Sequence, residues 1–485
     1  MSLVRSLFAV RPVETIVAEL NSAPPLNRVL SASSLTAIGL GSTIGTGIFI
    51  LTGTVAANHT GPALSLALFI AAFGSALAAI CYSEFAAMIP VSGSAYTYAY
   101  CTLGEALAWI IGWNLSLEYL MSASAVAVGW SSYVANLLGD WGIHLPKALT
   151  SAPLDKGTDS FLVTTGAIVN LPAVLIVLAL GSVLYIGIKE SATANNIMVW
   201  IKVAVIVVFV LAGVSFIDTA NWEPYLPANT GKDGEFGVSG LLRGTAIIFF
   251  SYVGFDAAST AARETRNPQR DVPLGIIGAL VISAVLYISM ALVMTGMVPY
   301  TQLGVDAPVA VALDAHPQLA WLAPLVKLGA IAGMTSVILM SMLGQPRIFL
   351  AMADDGLLPP AMRKVHSKYR TPHVATAITT VLAAVIAGLF PLDVLGELIS
   401  MGILLAFTGV CIGVLVLRYT RPDLNRPFRV PFAGVTCVLG AVICGGITYF
   451  LPRETWLLFL IWSIIGFSIY ALYGYRNSRM RANGK

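Results

Sequence analysis

Charge is what this chain has least of. Asp, Glu, Lys and Arg make up 11% of its 485 residues, about half the share of a soluble domain. Cysteine is scarce too: Cys81, Cys101, Cys411, Cys437 and Cys444 lie in or beside apolar runs, with no Cys-x-x-Cys pair. That pattern yields neither a disulfide framework nor a metal site. His59, His144, His316, His366 and His373 fall at the ends of apolar runs or in loops, and none forms a His-x-x-x-His or His-Glu-x-x-His pair. A Gly-x-Ser-x-Gly elbow is missing, and so is a phosphate-binding loop. These gaps argue against a hydrolase, a metalloenzyme and an ATP-driven pump. The chain is expected to be no enzyme, to hold no metal or cofactor and to bind no nucleic acid. Residues 1–32 are mixed and mildly amphipathic, broken by Pro24-Pro25. They read as a cytoplasmic arm rather than a cleavable signal.

What the chain has is apolar length. Hydrophobic residues make up 57% of it, arranged in runs of about 20, the length that crosses a bilayer. After a first run from about 33 to 57, further runs fall near 63–89, 105–136, 168–188, 194–217, 238–261, 273–296, 321–350, 373–390, 394–418, 433–450 and 455–474. The expectation is therefore an all-α integral membrane protein with twelve spans. Its long third and eighth spans imply tilt or extension past the bilayer. An even count puts both ends on one side. With the N-terminus inside, inner tails and loops hold 20 Lys and Arg residues against 5 outside, which orients both termini toward the cytoplasm.

Within the first span lies Gly39-Leu-Gly-Ser-Thr-Ile-Gly-Thr-Gly-Ile-Phe49, with four glycines and two threonines where a spanning helix should be most regular. Unpaired backbone groups cost several kcal/mol in hydrocarbon, so a break survives only where it lines a cavity or is buried in protein. A helix that stops at Gly41 and restarts at Gly47 presents free amides and a positive dipole end, a setting suited to a carboxylate. The competing reading is close helix packing through Gly-xxx-Gly spacing. A second interruption, at Ser251, Gly254 and Asp256, lies five spans later in a helix of opposite orientation. Interrupted helices at matching positions of two halves point to an inverted-repeat transporter with a midplane site. One break offers amide donors and the other carbonyl acceptors. A ligand carrying an anionic and a cationic group on one carbon is an α-amino acid.

Here the chain resembles the amino acid–polyamine–organocation transporters, and within them the cationic amino acid transporter group and its bacterial relatives. The resemblance is carried by Gly41-Ser-Thr-Ile-Gly-Thr-Gly-Ile-Phe-Ile-Leu-Thr-Gly53, by Glu84 to Tyr98 around Pro90-Val-Ser-Gly-Ser-Ala-Tyr96, and by Gly112-Trp-Asn-Leu-Ser-Leu-Glu-Tyr119. Phe249 to Asp256, Asn267-Pro-Gln-Arg-Asp-Val-Pro273, Gly344-Gln-Pro-Arg347, Asp355-Gly-Leu-Leu-Pro359, Tyr369-Arg-Thr-Pro-His373 and the stretch Arg421 to Arg429 continue it. It implies a five-plus-five inverted repeat of the leucine-transporter type, with helices 1 and 6 broken and two extra C-terminal helices. The corresponding parts are residues 33–217, 238–418 and 433–474, followed by a cytoplasmic tail at 475–485. It also implies proton-linked or exchange transport of amino acids. Vertebrate members look longer, which favours a bacterial plasma membrane. Thr43, Ile44, Gly45, Thr46 and Gly47 match the stretch that binds the substrate carboxylate. Phe250, Ser251, Val253 and Gly254 match the stretch that binds the amino group and gates the pocket with an aromatic ring. Arg263 departs from the pattern, since relatives often carry an acid beside the one matching Glu264.

Charges inside spans are functional candidates. Lys202 lies roughly eight residues into the fifth span, about 12 Å deep at 1.5 Å per residue. It either snorkels to the interface or carries the coupling proton. By the resemblance it occupies the place where a sodium-coupled cousin binds its ion. Thr335-Ser336 supplies hydroxyls of the kind a Na⁺ site uses, or simply packs helices. Glu118 is either a structural acid bonded to a tyrosine hydroxyl or backbone amide, or a group that attracts a cationic part of the substrate. Asp256 is expected to cap the second half of the sixth span, Glu84 to be structural and Lys327 to snorkel. Met334 borders the side-chain pocket if the family geometry holds; the alternative is helix filler. The function expected is proton-coupled symport of L-amino acids by alternating access. The alternatives are an amino acid exchanger, a Na⁺-coupled symporter or a channel. Whether a small membrane subunit accompanies the chain stays open.

Overall fold

The computed structural model describes residues 10–12, 28, 30–89, 94–155, 162–187, 191–369 and 371–482. Most of the arm expected at 1–32, and the 90–93 part of one motif, lie outside these. Among the described residues the architecture is all-α apart from a two-residue hairpin, Leu154–Asp155 paired with Val163–Thr164. Seven helical runs are long and apolar enough to cross a membrane, and three shorter apolar helices accompany them. The protein is a multi-pass membrane protein.

In chain order the main helices are α1 (Ala32–Thr43), α2 (Leu64–Met88), α3 (Ser94–Thr102), α4 (Glu105–Asp140), α5 (Leu171–Ile186), α6 (Ser191–Gly213) and α7 (Gly237–Ile248). There follow α8 (Pro268–Met297), α9 (Pro308–Asp314), α10 (Ala323–Asp354), α11 (His373–Leu389), α12 (Leu392–Thr420), α13 (Ala433–Thr448) and α14 (Arg453–Ile469). All but α3 and α9, which lie between the expected runs, begin or end within a few residues of an apolar run. Prolines start several of them, as at Pro268 and Pro308, where a missing N–H costs nothing.

The 36-residue α4 runs through the middle, packed against α10 and α12. Its side chains are buried along most of its length, which explains why so polar a helix (Asn114, Ser116, Glu118, Ser122, Ser124) is tolerated inside the bundle. α14 lies outermost. Gly466 lets it approach Trp113, and the indoles of Trp113 and Trp462 stack at 4.4 Å.

Both described terminal segments meet on one face of the bundle, called here the terminal face. Arg11 pairs with Asp355 at 2.8 Å, and the Arg479 amide donates to the Asp355 carbonyl at 3.0 Å. On the same face Leu30 bridges Thr265, tying the entry of α1 to the segment after α7.

Candidate functional site

The first helix does break, two residues later than the glycine pattern suggested. α1 ends at Thr43, and the helix resumes with a π-turn at Gly47–Leu51, an α-turn at Thr52–Val55 and a second π-turn at Ala56–Thr60. The last bond of α1 runs from the Ile44 amide to Leu40, and the next across the gap from the Phe49 amide to Gly45. Between them lie the amides of 45–48, the first-turn positions that lack intrahelical acceptors. The second break follows α7. A 3₁₀ turn at Phe249–Tyr252 gives way at Val253, and only a short turn, Ala257–Thr260, resumes beyond it. Wide turns at one break and a tight turn at the other are departures from α geometry of the kind found at functional positions.

The two breaks touch. A Cβ at Gly47 would lie 2.6 Å from Ser251 Cα, and one at Gly254 would lie 2.7 Å from the Ser42 carbonyl carbon. Gly254 also holds φ at +113°. The structure thus brings Thr43, Ile44, Gly45, Thr46 and Gly47 against Phe250, Ser251, Val253 and Gly254, all of them 7% exposed or less among those with side chains. Among the described residues, the hydroxyls of Thr46 and Ser251 have no hydrogen-bond partner.

Neighbouring helices hold the edges. The Tyr287 hydroxyl of α8 donates to the Thr43 carbonyl at 3.0 Å, and Tyr133 of α4 to the Phe49 carbonyl at 2.9 Å. Ser400 of α12 donates to the Ile247 carbonyl at 3.2 Å. Each satisfies a carbonyl that the lapsed ladder leaves open. Sequence reasoning did not single out these three; the signal available was a tyrosine hydroxyl buried mid-span, which needs a partner.

Lys202 does not snorkel. It is fully buried, and its Nζ donates to the Gly41 carbonyl at 2.6 Å and to the Ile44 carbonyl at 3.0 Å. Ser336 Oγ donates to the same Gly41 oxygen at 3.2 Å. The lysine thus joins α6 to the end of α1 while α10 closes the third side. Gly333 of α10 makes room, since a Cβ there would meet the lysine stem at 3.1 Å. Of the Thr335-Ser336 pair only Ser336 faces this point; Thr335 bonds the Ile331 carbonyl and accepts from the Trp130 indole. Met334 is fully buried one turn from Val337, which packs on Gly45.

Three other charges differ from expectation or refine it. Lys327 pairs with Asp140 at 2.5 Å rather than snorkelling. Asp256 stands at the cap position of the turn after the break, but its side chain makes no capping hydrogen bond. Glu118, 2% exposed, finds neither the tyrosine hydroxyl nor the amide expected of a structural acid at its Oε2. Glu84 is structural as read: it holds Arg418, lies 3.3 Å from Arg426 Nε and accepts from the Val430 amide at 2.7 Å.

On the face opposite the termini a cavity of about 500 Å³ opens, lined by Val55, Asn58, His59, Arg243, Ile247 and Glu397 among others. Gly396 stands beside Glu397, and a Cβ added to it would lie 3.2 Å from Leu51 and 3.9 Å from the Phe250 ring. The Phe250 ring therefore packs near Gly396, the neighbour of the cavity-lining Glu397. Glu235, also on its wall, is held below the ordinary carboxylate range by the Thr230 hydroxyl and Lys232.

A bundle with two abutting breaks and a buried lysine across one of them is the build of a membrane transporter, not of an enzyme. The chain belongs to the amino acid permease family, whose pattern matches residues 30–474. It is 45% identical over 473 residues to the methylthioribose transporter of Bacillus subtilis, covering 98% of this chain and 99% of that one. It is 42% identical over 477 residues to the branched-chain amino acid permease BcaP of the same organism, covering 98% and 99%. With cationic amino acid transporter 4, vacuolar, of Arabidopsis thaliana it shares 40% over 420 residues, 86% of this chain and 68% of that one.

Proposed function

We propose that this protein is a proton-coupled symporter of L-amino acids working by alternating access. In this reading twelve spans form a five-plus-five inverted repeat with two further helices, in a bacterial plasma membrane with both termini cytoplasmic. The observation that carries it is Lys202 Nζ on the Gly41 and Ile44 carbonyls, beside the break. Those carbonyls end a half-helix, where the dipole and open lone pairs favour a cation. Protonated, the lysine clamps α6 to α1; neutral, it loses donors and releases the pair. A bound proton thereby sets the shape of the break.

The substrate carboxylate meets the amides of Gly45 to Gly47, and its amino group the carbonyls of Phe250, Ser251 and Val253. Phe250 closes the pocket toward the cavity, and Met334 faces the side chain. Branched-chain and cationic amino acids are the substrates that the names of two relatives suggest.

A second reading is favoured by the methylthioribose transporter at 45% identity. That ligand is neither a carboxylate nor an amine, and would engage the same break groups through hydroxyls.

In proteoliposomes with an inward-directed proton gradient, the wild type should accumulate an L-amino acid. Lys202→Ala should abolish accumulation and keep counterflow exchange in part. Full accumulation by Lys202→Ala would refute proton coupling at this residue. Uptake of methylthioribose with no amino acid transported would favour the second reading.

A further inference from the structure

The last stretch of the described chain folds back onto the bundle as a hook. α14 gives way to a wide π-turn, Tyr470–Gly474, and a short helical turn, Tyr475–Asn477, before Arg479–Ala482. Among the described residues the other π-turns are the two at the first break, and such turns are frequent at functional positions. The hook converges on one acid. Glu105, in the first turn of α4, is fully buried and accepts at Oε1 from the Tyr470 hydroxyl and the Arg481 guanidinium, each at 2.8 Å. At Oε2 it accepts from the Ser478 hydroxyl and, at 3.1 Å, from the Tyr100 hydroxyl of α3. Arg481 is braced in turn: it donates to the Tyr475 carbonyl at 2.8 Å and stands 3.7 Å from the centre of that ring.

A second row of contacts seats the hook on the end of α10. The Arg479 amide donates to the Asp355 carbonyl at 3.0 Å, and the Asn477 carbonyl lies where a Cβ on Gly356 would go. The Asp355 carboxylate accepts from the Tyr96 hydroxyl of α3 at 2.7 Å and from Arg11 at 2.8 Å. One segment after the last span thereby fastens α3, the start of α4 and the end of α10.

The fastening of Ser478 and Arg481 is of a kind that can be undone. It consists of hydrogen bonds and one ion pair, and the Arg481 side chain keeps 17% of its surface exposed. Water can replace such donors. Glu105 also has a second setting ready. At the N-terminus of α4 the first-turn amides and the helix dipole favour a carboxylate after the hook has left. Release therefore hydrates a charge that the helix tolerates instead of stranding it in the bundle.

We propose that residues 470–481 are a latch on the terminal face: Arg481 and Ser478, bonded to Glu105, hold α3 and the first turn of α4 in place, and the latch opens before a solute passes to that side. This rests on the transport reading above and deepens it by naming what regulates passage at one face. Glu105 is a positioning residue, acting through α3 and α4 and not on the substrate. Because the hook belongs to neither break, its strength sets how often the face opens and leaves the substrate-holding groups unaltered.

The test is hydrogen–deuterium exchange of the full-length protein in nanodiscs without substrate, comparing the wild type with Arg481→Ala, Ser478→Ala and Arg481→Lys. In Arg481→Ala the amides of 94–106 and 353–358 should exchange about tenfold faster, while those of 235–248 on the opposite face stay within about twofold of the wild type. Ser478→Ala should move the same peptides in the same direction by less. Arg481→Lys, which keeps the charge, should fall between Arg481→Ala and the wild type. Unchanged exchange at 94–106 in both Arg481→Ala and Ser478→Ala would overturn the proposal. So would an equal rise on both faces, which would make the hook a plain structural anchor. A wild type that transports no amino acid would sink the substrate reading, and the difference between the faces would still decide the latch.

Discussion

At Gly254 the backbone holds φ at +113° while its α-carbon faces the Ser42 carbonyl carbon. A side chain there meets both an unfavourable conformation and a backbone wall that cannot step aside. Gly254→Ala should therefore cost about 2 kcal/mol, combining strain and overpacking. A lower melting temperature, together with loss of substrate-induced stabilisation, is the expected result; a variant melting with the wild type would contradict it. Other residue-level features were harder to read from the chain. Gly41, Gly45, Gly47 and Gly254 were visible because glycine within a span has few uses. Lys202 was visible because charge is rare there. The partner of Lys327 was not, since Asp140 lies 187 positions away and nothing local points to it. Nor could the sequence tell Ser336 from Thr335. Adjacent residues on a helix point about 100° apart, and only the packed phase of α10 decides which one sees Gly41. Glu118 and Asp256 were each legible as acids inside spans, but the lack of a partner on Glu118 Oε2 among the described residues was not.

Element boundaries were the most legible feature, because each apolar run had to become a helix to satisfy its backbone. The exceptions are informative. Beyond the second break the chain yields a four-residue turn and a 3₁₀ turn, Ala262–Glu264, where a half-helix was expected. The tie between Leu30 and Thr265 holds this stretch instead, with the Leu30 amide on the Glu264 carbonyl at 3.0 Å and the Arg266 amide on the Leu30 carbonyl at 2.9 Å. A long-range backbone bridge leaves no trace in local pattern. The Leu154–Asp155 hairpin was missed because its strands are only two residues long. Helix-to-helix joints are clearer in their chemistry. Glu84 on α2 binds Arg418 at the end of α12, Arg426 in the following turn and the Val430 amide leading to α13. Its side chain is 3% exposed and that of Arg426 is 7% exposed. Removing one partner of a buried pair strands the other, at about 3–5 kcal/mol. Glu84→Gln should thus destabilise strongly in detergent melts, whereas an unchanged melting curve would show the joint to be dispensable.

For the whole molecule, the resemblance read from scattered motifs and the family match over 30–474 agree on the class. What neither conveys is how the faces differ. The terminal face carries the ties of Arg11 to Asp355 and Leu30 to Thr265, while the opposite face holds the cavity lined by Val55, Arg243 and Glu397. The substrate assignment rests on backbone groups at two breaks, and relatives named for such different cargo as methylthioribose and branched-chain amino acids show why side chains around the breaks must decide it. A structure of the protein with an L-amino acid bound is the most direct measurement. The account predicts the carboxylate on the amides of Gly45 to Gly47 and the amino group on the carbonyls of Phe250, Ser251 and Val253. A ligand seated only in the cavity on the opposite face, with the two breaks in mutual contact and empty between, would contradict it.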